Sequence, residues 1–136
     1  MEVQTSRFGP LDLPENTFIE FPWGLPGFET SKRFVLLEHR EGPFQWLQAV
    51  DQPEVAFVVC PPEVMGLHYT VPPDKQAPIG IQQDQDLLLL VLVSFDRATG
   101  NLRPHVRGPL LFNAANRKGY QWSLENGELP KYLCSK

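Results

Sequence analysis

The sequence predicts an all-β fold, a small antiparallel β-barrel-like or sandwich domain with little helix. Three observations predict it. Fourteen prolines are scattered through 136 residues, about twice the usual share of roughly 5%, and proline breaks a helix interior. The apolar segments are short, carry β-branched or aromatic residues, and end at Pro, Gly or Asn. Several of them, Phe34-Val35-Leu36-Leu37 and Ala56-Phe57-Val58-Val59-Cys60 among them, run without alternation, which calls for a sheet buried on both faces. Leu, Ile, Val and Phe fill 41 positions, enough for one core, so residues 1–136 are expected to form a single domain.

Taken in order, an opening strand is expected near Val3–Phe8, then strands at Thr17–Phe21, Arg33–Glu38, Phe44–Val50, Val55–Cys60 and His68–Val71. Leu87–Phe95, Leu110–Asn113 and Tyr120–Leu124 complete the set. Leu25-Pro26-Gly27-Phe28 has proline at i+1 and glycine at i+2, the pair a type II turn needs. Thr99-Gly100-Asn101 reverses the chain after Phe95, and Asn126-Gly127 suits a type I′ hairpin. Pro72–Asp86 has weak order signals and predicts a loop or a short helical turn. The seven-residue run Leu87–Val93 is too short to span a bilayer and reads as a buried strand.

Net charge is −4, which removes the electrostatic basis for a typical nucleic-acid binder. Residues 1–100 hold six basic and fourteen acidic side chains, whereas residues 101–136 hold six basic and two acidic. The acidic balance favours encounter with basic partners. A nucleic-acid-binding small barrel is the alternative reading: Trp23, Phe28, Trp46, Tyr120 and Trp122 would be stacking platforms and Arg103, Arg107, Arg117 and Lys118 the basic region. Glu20, Glu29, Glu38 and Asp51 near the first three aromatics oppose it.

No catalytic or nucleotide-binding motif is present. His39, His68 and His105 stand apart from any metal-ligand spacing, so neither a metal nor another cofactor is expected. Cys60 and Cys134 fit no zinc or disulfide framework and read as reduced thiols, Cys60 as a buried small hydrophobe. The amino terminus lacks the pattern of a secretory signal, and a cytoplasmic location is expected.

Phe21-Pro22-Trp23-Gly24-Leu25-Pro26-Gly27-Phe28-Glu29, followed by Phe34-Val35-Leu36-Leu37 and Pro43-Phe44-Gln45-Trp46-Leu47-Gln48, resembles the amino-terminal half of the FliW flagellar assembly factors. Thr5-Ser6-Arg7-Phe8-Gly9 is similar to that family's opening segment. Ala56–Pro61, Tyr69, Asn101-Leu102-Arg103 and Gly108–Asn113 with Asn116, Arg117 and Gln121 follow in the family's order. Two departures stand out: Pro104-His105-Val106 are extra between Asn101-Leu102 and Gly108-Pro109, and Cys60 occupies a position where aspartate is frequent. The resemblance implies a non-enzymatic cytoplasmic protein that binds flagellin and also CsrA, a dimeric RNA-binding translational repressor, without touching nucleic acid or membrane itself. Candidate partner contacts are Leu25 and Phe28 in the motif turn, the carboxylates Glu20, Glu29, Asp51, Asp84 and Asp86, and the amides Gln48, Asn101 and Asn113. The amides lie beside apolar strand residues, where tying strand ends together is the competing role.

Overall fold

The computed structural model describes residues 2–38, 42–124 and 131–132. Its strands are β1 (Glu2–Thr5), β2 (Gly9–Asp12), β3 (Ile19–Glu20), β4 (Arg33–Glu38), β5 (Gln45–Ala49) and β6 (Ala56–Cys60), then β7 (Leu67–His68), β8 (Leu87–Asp96), β9 (Asn101–Pro104), β10 (Leu110–Asn113), β11 (Lys118–Gln121) and β12 (Lys131–Tyr132). Helix is confined, among the described residues, to one turn, α1 (Pro73–Gln76), and four 3-10 turns. Three of these five fall within Pro72–Asp86, the segment read as a loop or short helical turn.

Eight strands form one sheet in the order β10-β11-β3-β4-β5-β6-β8-β9, and a further β8–β10 pairing closes it into a ring. The long strand β8 makes closure possible. Its first half pairs β10 from Leu87↔Asn113 to Leu90↔Leu110, and its second half pairs β9 from Val93↔Pro104 to Asp96↔Asn101. Between the two, the His105 N–H donates to the Leu92 carbonyl at 2.7 Å. The extra residues Pro104–Val106 are thereby the joint between β9 and β10 along one strand edge. Pairing is antiparallel except at the β3–β11 seam, where Lys118↔Glu20 is parallel.

Alternation within the apolar runs is hidden because both faces are covered. Phe34, Leu47, Val59, Leu90, Leu110 and Phe112 point into the barrel with Ile19, Phe21 and Leu25. Phe21 packs edge-to-face on Phe34 at 5.0 Å and on Phe112 at 5.6 Å, joining three distant segments of chain. Intervening residues Cys60, Val91, Val93 and Leu111 face outward into a second core with Leu67, Tyr69, Ile79, Trp122 and Leu124. Removing a large side chain from either core costs about 2–5 kcal/mol.

Several expected strands differ at their ends. Thr17 closes a 3-10 turn by donating its hydroxyl to the Pro14 carbonyl at 2.6 Å, so only Ile19–Glu20 of Thr17–Phe21 is strand. His68–Val71 shrinks to Leu67–His68, since Tyr69 turns into the second core and donates its hydroxyl to the Val106 carbonyl at 2.6 Å. The last predicted strand, Tyr120–Leu124, lies earlier, at Lys118–Gln121, and the opening strand ends at Thr5. Strands β2, β9 and β12 are additional to the expectation: the first two, Gly-Pro-Leu-Asp and Asn-Leu-Arg-Pro, carry the prolines tolerated at sheet edges. The Asn126-Gly127 hairpin and Cys134 lie outside the described residues.

Candidate functional site

The Leu25–Phe28 turn is type II: Gly27 has φ +85°, and the Phe28 N–H donates to the Leu25 carbonyl at 2.7 Å. Glu29 steadies it by accepting from the Gly27 N–H at 2.8 Å. Backbone N–H groups of Gly27 and of Glu29 itself, with Lys32 nearby, hold this fully exposed carboxyl below its ordinary range. The turn sends Leu25 into the barrel and sets Phe28 against Phe57, ring to ring at 5.3 Å.

Leu25 and Phe28 form part of an open groove of about 1180 Å³. Its apolar lining comes from Phe57 and Val58 of β6, Leu92 and Val93 of β8, and Met65 and Val106. At one side the β1–β2 hairpin folds over β5: Thr5 pins the hairpin turn through the Phe8 N–H at 2.8 Å, and the Arg7 guanidinium stacks 4.2 Å above Trp46. At the other side stand Ser94, Arg103, Pro104 and His105. Beyond them the β8–β9 hairpin carries Phe95 and Leu102 as a cross-strand pair, 61% and 42% exposed.

The other candidate residues fall elsewhere. Glu20 lies in register with both Arg33 and Lys118, and Asp51 accepts from Arg33 at 3.1 Å, so both residues flank Arg33. Gln48 is fully buried and donates its amide to the carbonyls of Ala49, Pro53 and Val55 at 3.0 to 3.1 Å, fixing the β5–β6 connection. Asn113 is buried too, donating to the Ile79 carbonyl and accepting from the Ala115 N–H, both at 2.8 Å. Asp84 and Asp86 form the 3-10 turn before β8, with the Asp86 carbonyl held by the Ala114 N–H at 2.9 Å. Asn101 stands at the start of β9 beside Leu102, in a strand as expected, but it is exposed, which corrects the burial expected of it. The β8–β9 hairpin extends past the neighbouring strands there, with β6 pairing β8 only as far as Val93.

The basic region of the alternative reading is dispersed. Arg117, at φ +59°, donates to the Phe18 and Thr17 carbonyls at 2.9 and 2.7 Å and so locks the β3–β11 seam. Trp122 is buried, and the Tyr120 hydroxyl is bonded to the Lys75 carbonyl. Cys60 is buried, its thiol pushed up to about 11 by burial and then by the Glu63 carboxylate. No group of three or more metal-type ligands occurs among the described residues, and no helix there is long and apolar enough to cross a membrane.

The model of the family described as FliW protein matches residues 2–132. The chain belongs to the FliW family. A flagellar assembly factor FliW of Caldanaerobacter subterraneus subsp. tengcongensis is 34% identical over 137 residues, covering 98% of this chain and 89% of the relative. That of Azoarcus sp. is 36% identical over 131 residues, covering 89% of each. A crystal structure of the flagellar assembly factor FliW superposes with a TM-score of 0.83 at 26% identity, over 100% of this chain and 99% of that one. The β-rich ring described above is thus the FliW fold, and the Leu25–Phe28 turn that carried the resemblance helps to line its groove.

Sequence reasoning passed over Arg7, Phe57, Arg103 and His105 as a group. Register Ser94↔Arg103 and the stacking of Arg7 on Trp46 bring them to one groove from positions 96 apart. The usable signal was local, the cation in Thr5-Ser6-Arg7-Phe8 and in Asn101-Leu102-Arg103, each within a family-like string.

Proposed function

We propose that this chain is a non-enzymatic flagellar assembly factor of the cytoplasm, acting as one domain, which binds flagellin and also CsrA and thereby relieves repression of flagellin translation. Its likeness to FliW proteins over residues 2–132 carries the reading. The surface supports it: a wide apolar groove open to solvent suits a protein segment more than an enclosed small-molecule site does. An acidic balance of fourteen to six over residues 1–100 suits a partner that is basic because it binds RNA. Glu20, Glu29, Asp51, Asp84 and Asp86 remain the carboxylates proposed to meet it, with Asn101 exposed at the start of β9.

Co-purification with flagellin and with CsrA tests the partners directly, and failure to retain either overturns the reading. The mode of antagonism is allosteric in this proposal, so a ternary complex with CsrA and RNA forms and each ligand weakens the other equally. A tenfold loss of RNA affinity needs about 1.4 kcal/mol of coupling, within the roughly 1–3 kcal/mol typical of coupled sites. The apparent RNA dissociation constant should level off as this protein is added. Weakening without limit, and no ternary species, would mean occlusion instead.

A further inference from the structure

The groove carries charge opposite in sign to the protein. Net charge is −4, and the acidic excess lies in residues 1–100, which supply β1 to β8. Yet the titratable side chains lining the groove are Arg7, Arg103 and His105, and no described carboxylate lines it. The nearest engaged acid is Asp96, 3.6 Å from Arg103 in a pair whose arginine is 73% exposed. An exposed pair of that length leaves the guanidinium open to a second carboxylate. Arg7 is exposed above Trp46, so its stacked face is used while its N–H edge is free to bind an anion.

The two arginines also stand apart. Arg7 lies over β5 and Arg103 is on β9, with β6 and β8 between them in the sheet order. Arg7 sits on the face of β5 that carries Trp46, in register with Val58, whereas Arg103, in register with Ser94, is on the face of Leu92 and Phe57. The groove thus passes from one face of the sheet to the other, and the lining between the two arginines is apolar. A ligand that satisfies both ends must be apolar in its middle and negative at its flanks.

We infer that this groove is a docking site for a protein segment with an apolar centre and carboxylates on both sides. It is separate from whatever acidic surface meets a basic partner. The inference rests on the reading that the chain works by binding proteins, and it assigns one of two electrostatically opposite surfaces. Single-stranded nucleic acid is the competing anion. The groove's aromatics disfavour it: Phe28 and Phe57 pack on each other, and the Trp46 face is covered by Arg7, so bases find no open ring on which to stack.

The test uses the whole protein and three fluorescein-labelled 14-residue peptides that share a Leu/Phe centre and carry pairs of Glu, Gln or Lys at both flanks. A labelled oligo-uridylate of similar length is the fourth probe. Anisotropy titrations at low salt should rank Glu above Gln above Lys, with at least a tenfold span between the extremes. The double substitution Arg7→Gln with Arg103→Gln, checked for an unchanged melting temperature, should collapse that span to less than threefold. Equal binding of all three peptides, or a span that survives the double substitution, overturns the inference. Oligo-uridylate binding that exceeds the Glu peptide and is lost with the two arginines also overturns it. Capture of flagellin and CsrA by the same protein samples is measured in parallel. If both proteins are retained while the peptides fail to discriminate, the groove assignment is wrong and the partner-binding reading stands. If neither is retained, the partners are wrong, and the peptide ranking still decides the chemistry of the groove.

Discussion

Gly24 and Gly27 both have positive φ, +66° and +85°, yet alanine at the two positions should behave differently. At Gly27 a Cβ would meet nothing within 4 Å, so Gly27→Ala adds only the left-handed backbone penalty, about 1–2 kcal/mol. At Gly24 a Cβ would lie 2.6 Å from the Glu29 Cα and 2.8 Å from its carbonyl oxygen. Backbone cannot swing aside as a side-chain tip does, so an overpacking cost of about 1–3 kcal/mol adds to the same penalty. Gly24→Ala therefore loses about 2–5 kcal/mol in all. For 136 residues the unfolding entropy makes 1 kcal/mol worth roughly 3–4 °C, so melting should fall by roughly 3–7 °C for Gly27→Ala and 7–17 °C for Gly24→Ala. Asparagine sharpens the comparison because it tolerates the left-handed region. Gly27→Asn should recover part of the loss, whereas Gly24→Asn should not, since any Cβ strikes Glu29. Differential scanning calorimetry on the four variants reads the order. Equal losses at the two sites, or recovery at Gly24, would refute the steric reasoning.

Asn113→Ala should lower stability by about 1–3 kcal/mol, while flagellin capture per folded molecule stays unchanged; lost capture at unaltered stability in urea melts would make this amide a contact instead. Because Asn116 also donates to the Ile79 carbonyl, at 2.9 Å, the double alanine variant should cost more than the sum of the singles. Cys60 gives a pH signature. Its folded thiol keeps the proton above the unfolded value of 9.0, up to about 11, so its contribution is fully present below pH 9 and declines as pH rises through that window. The stability gap between the native chain and Cys60→Ala should then narrow from pH 8 to pH 10.5 in urea titrations; a constant gap refutes the assignment.

Much of the ring was legible because apolar runs such as Ala56–Cys60 leave no room for a solvated face, and because Pro26 with Gly27 dictates one turn type. Burial of Phe57 and Val59 inward and of Val58 and Cys60 outward turned an apparent absence of pattern into two interleaved patterns. Strands β2 and β9 were illegible for the opposite reason: Pro10, Pro104 and Gly9 lower strand propensity, and only pairing with a neighbour overrides it. The same holds for the candidate site. Gln48 and Asn113 are polar residues within apolar runs, which was readable, and the competing structural role describes their hydrogen bonds. That Arg7 and Arg103 share a groove depends on long-range register, to which no local spacing corresponds.

The β3–β11 seam sets a condition on how the chain reaches its native state. One parallel bridge, and the grip of Arg117 on carbonyls of residues 17 and 18, join segments about 100 positions apart. Everything from β4 to β10 must be in place for the ends of this belt to meet. Hairpins such as β4–β5 need only local contacts, whereas closing the belt brings together residues about 100 positions apart. Non-local closure of this kind places a domain among slow folders, on the millisecond-to-second scale. Until the buckle closes, the edges of β3 and β11 stay open to pairing with other chains, and the contacts of Arg117 belong to the closure that removes those edges.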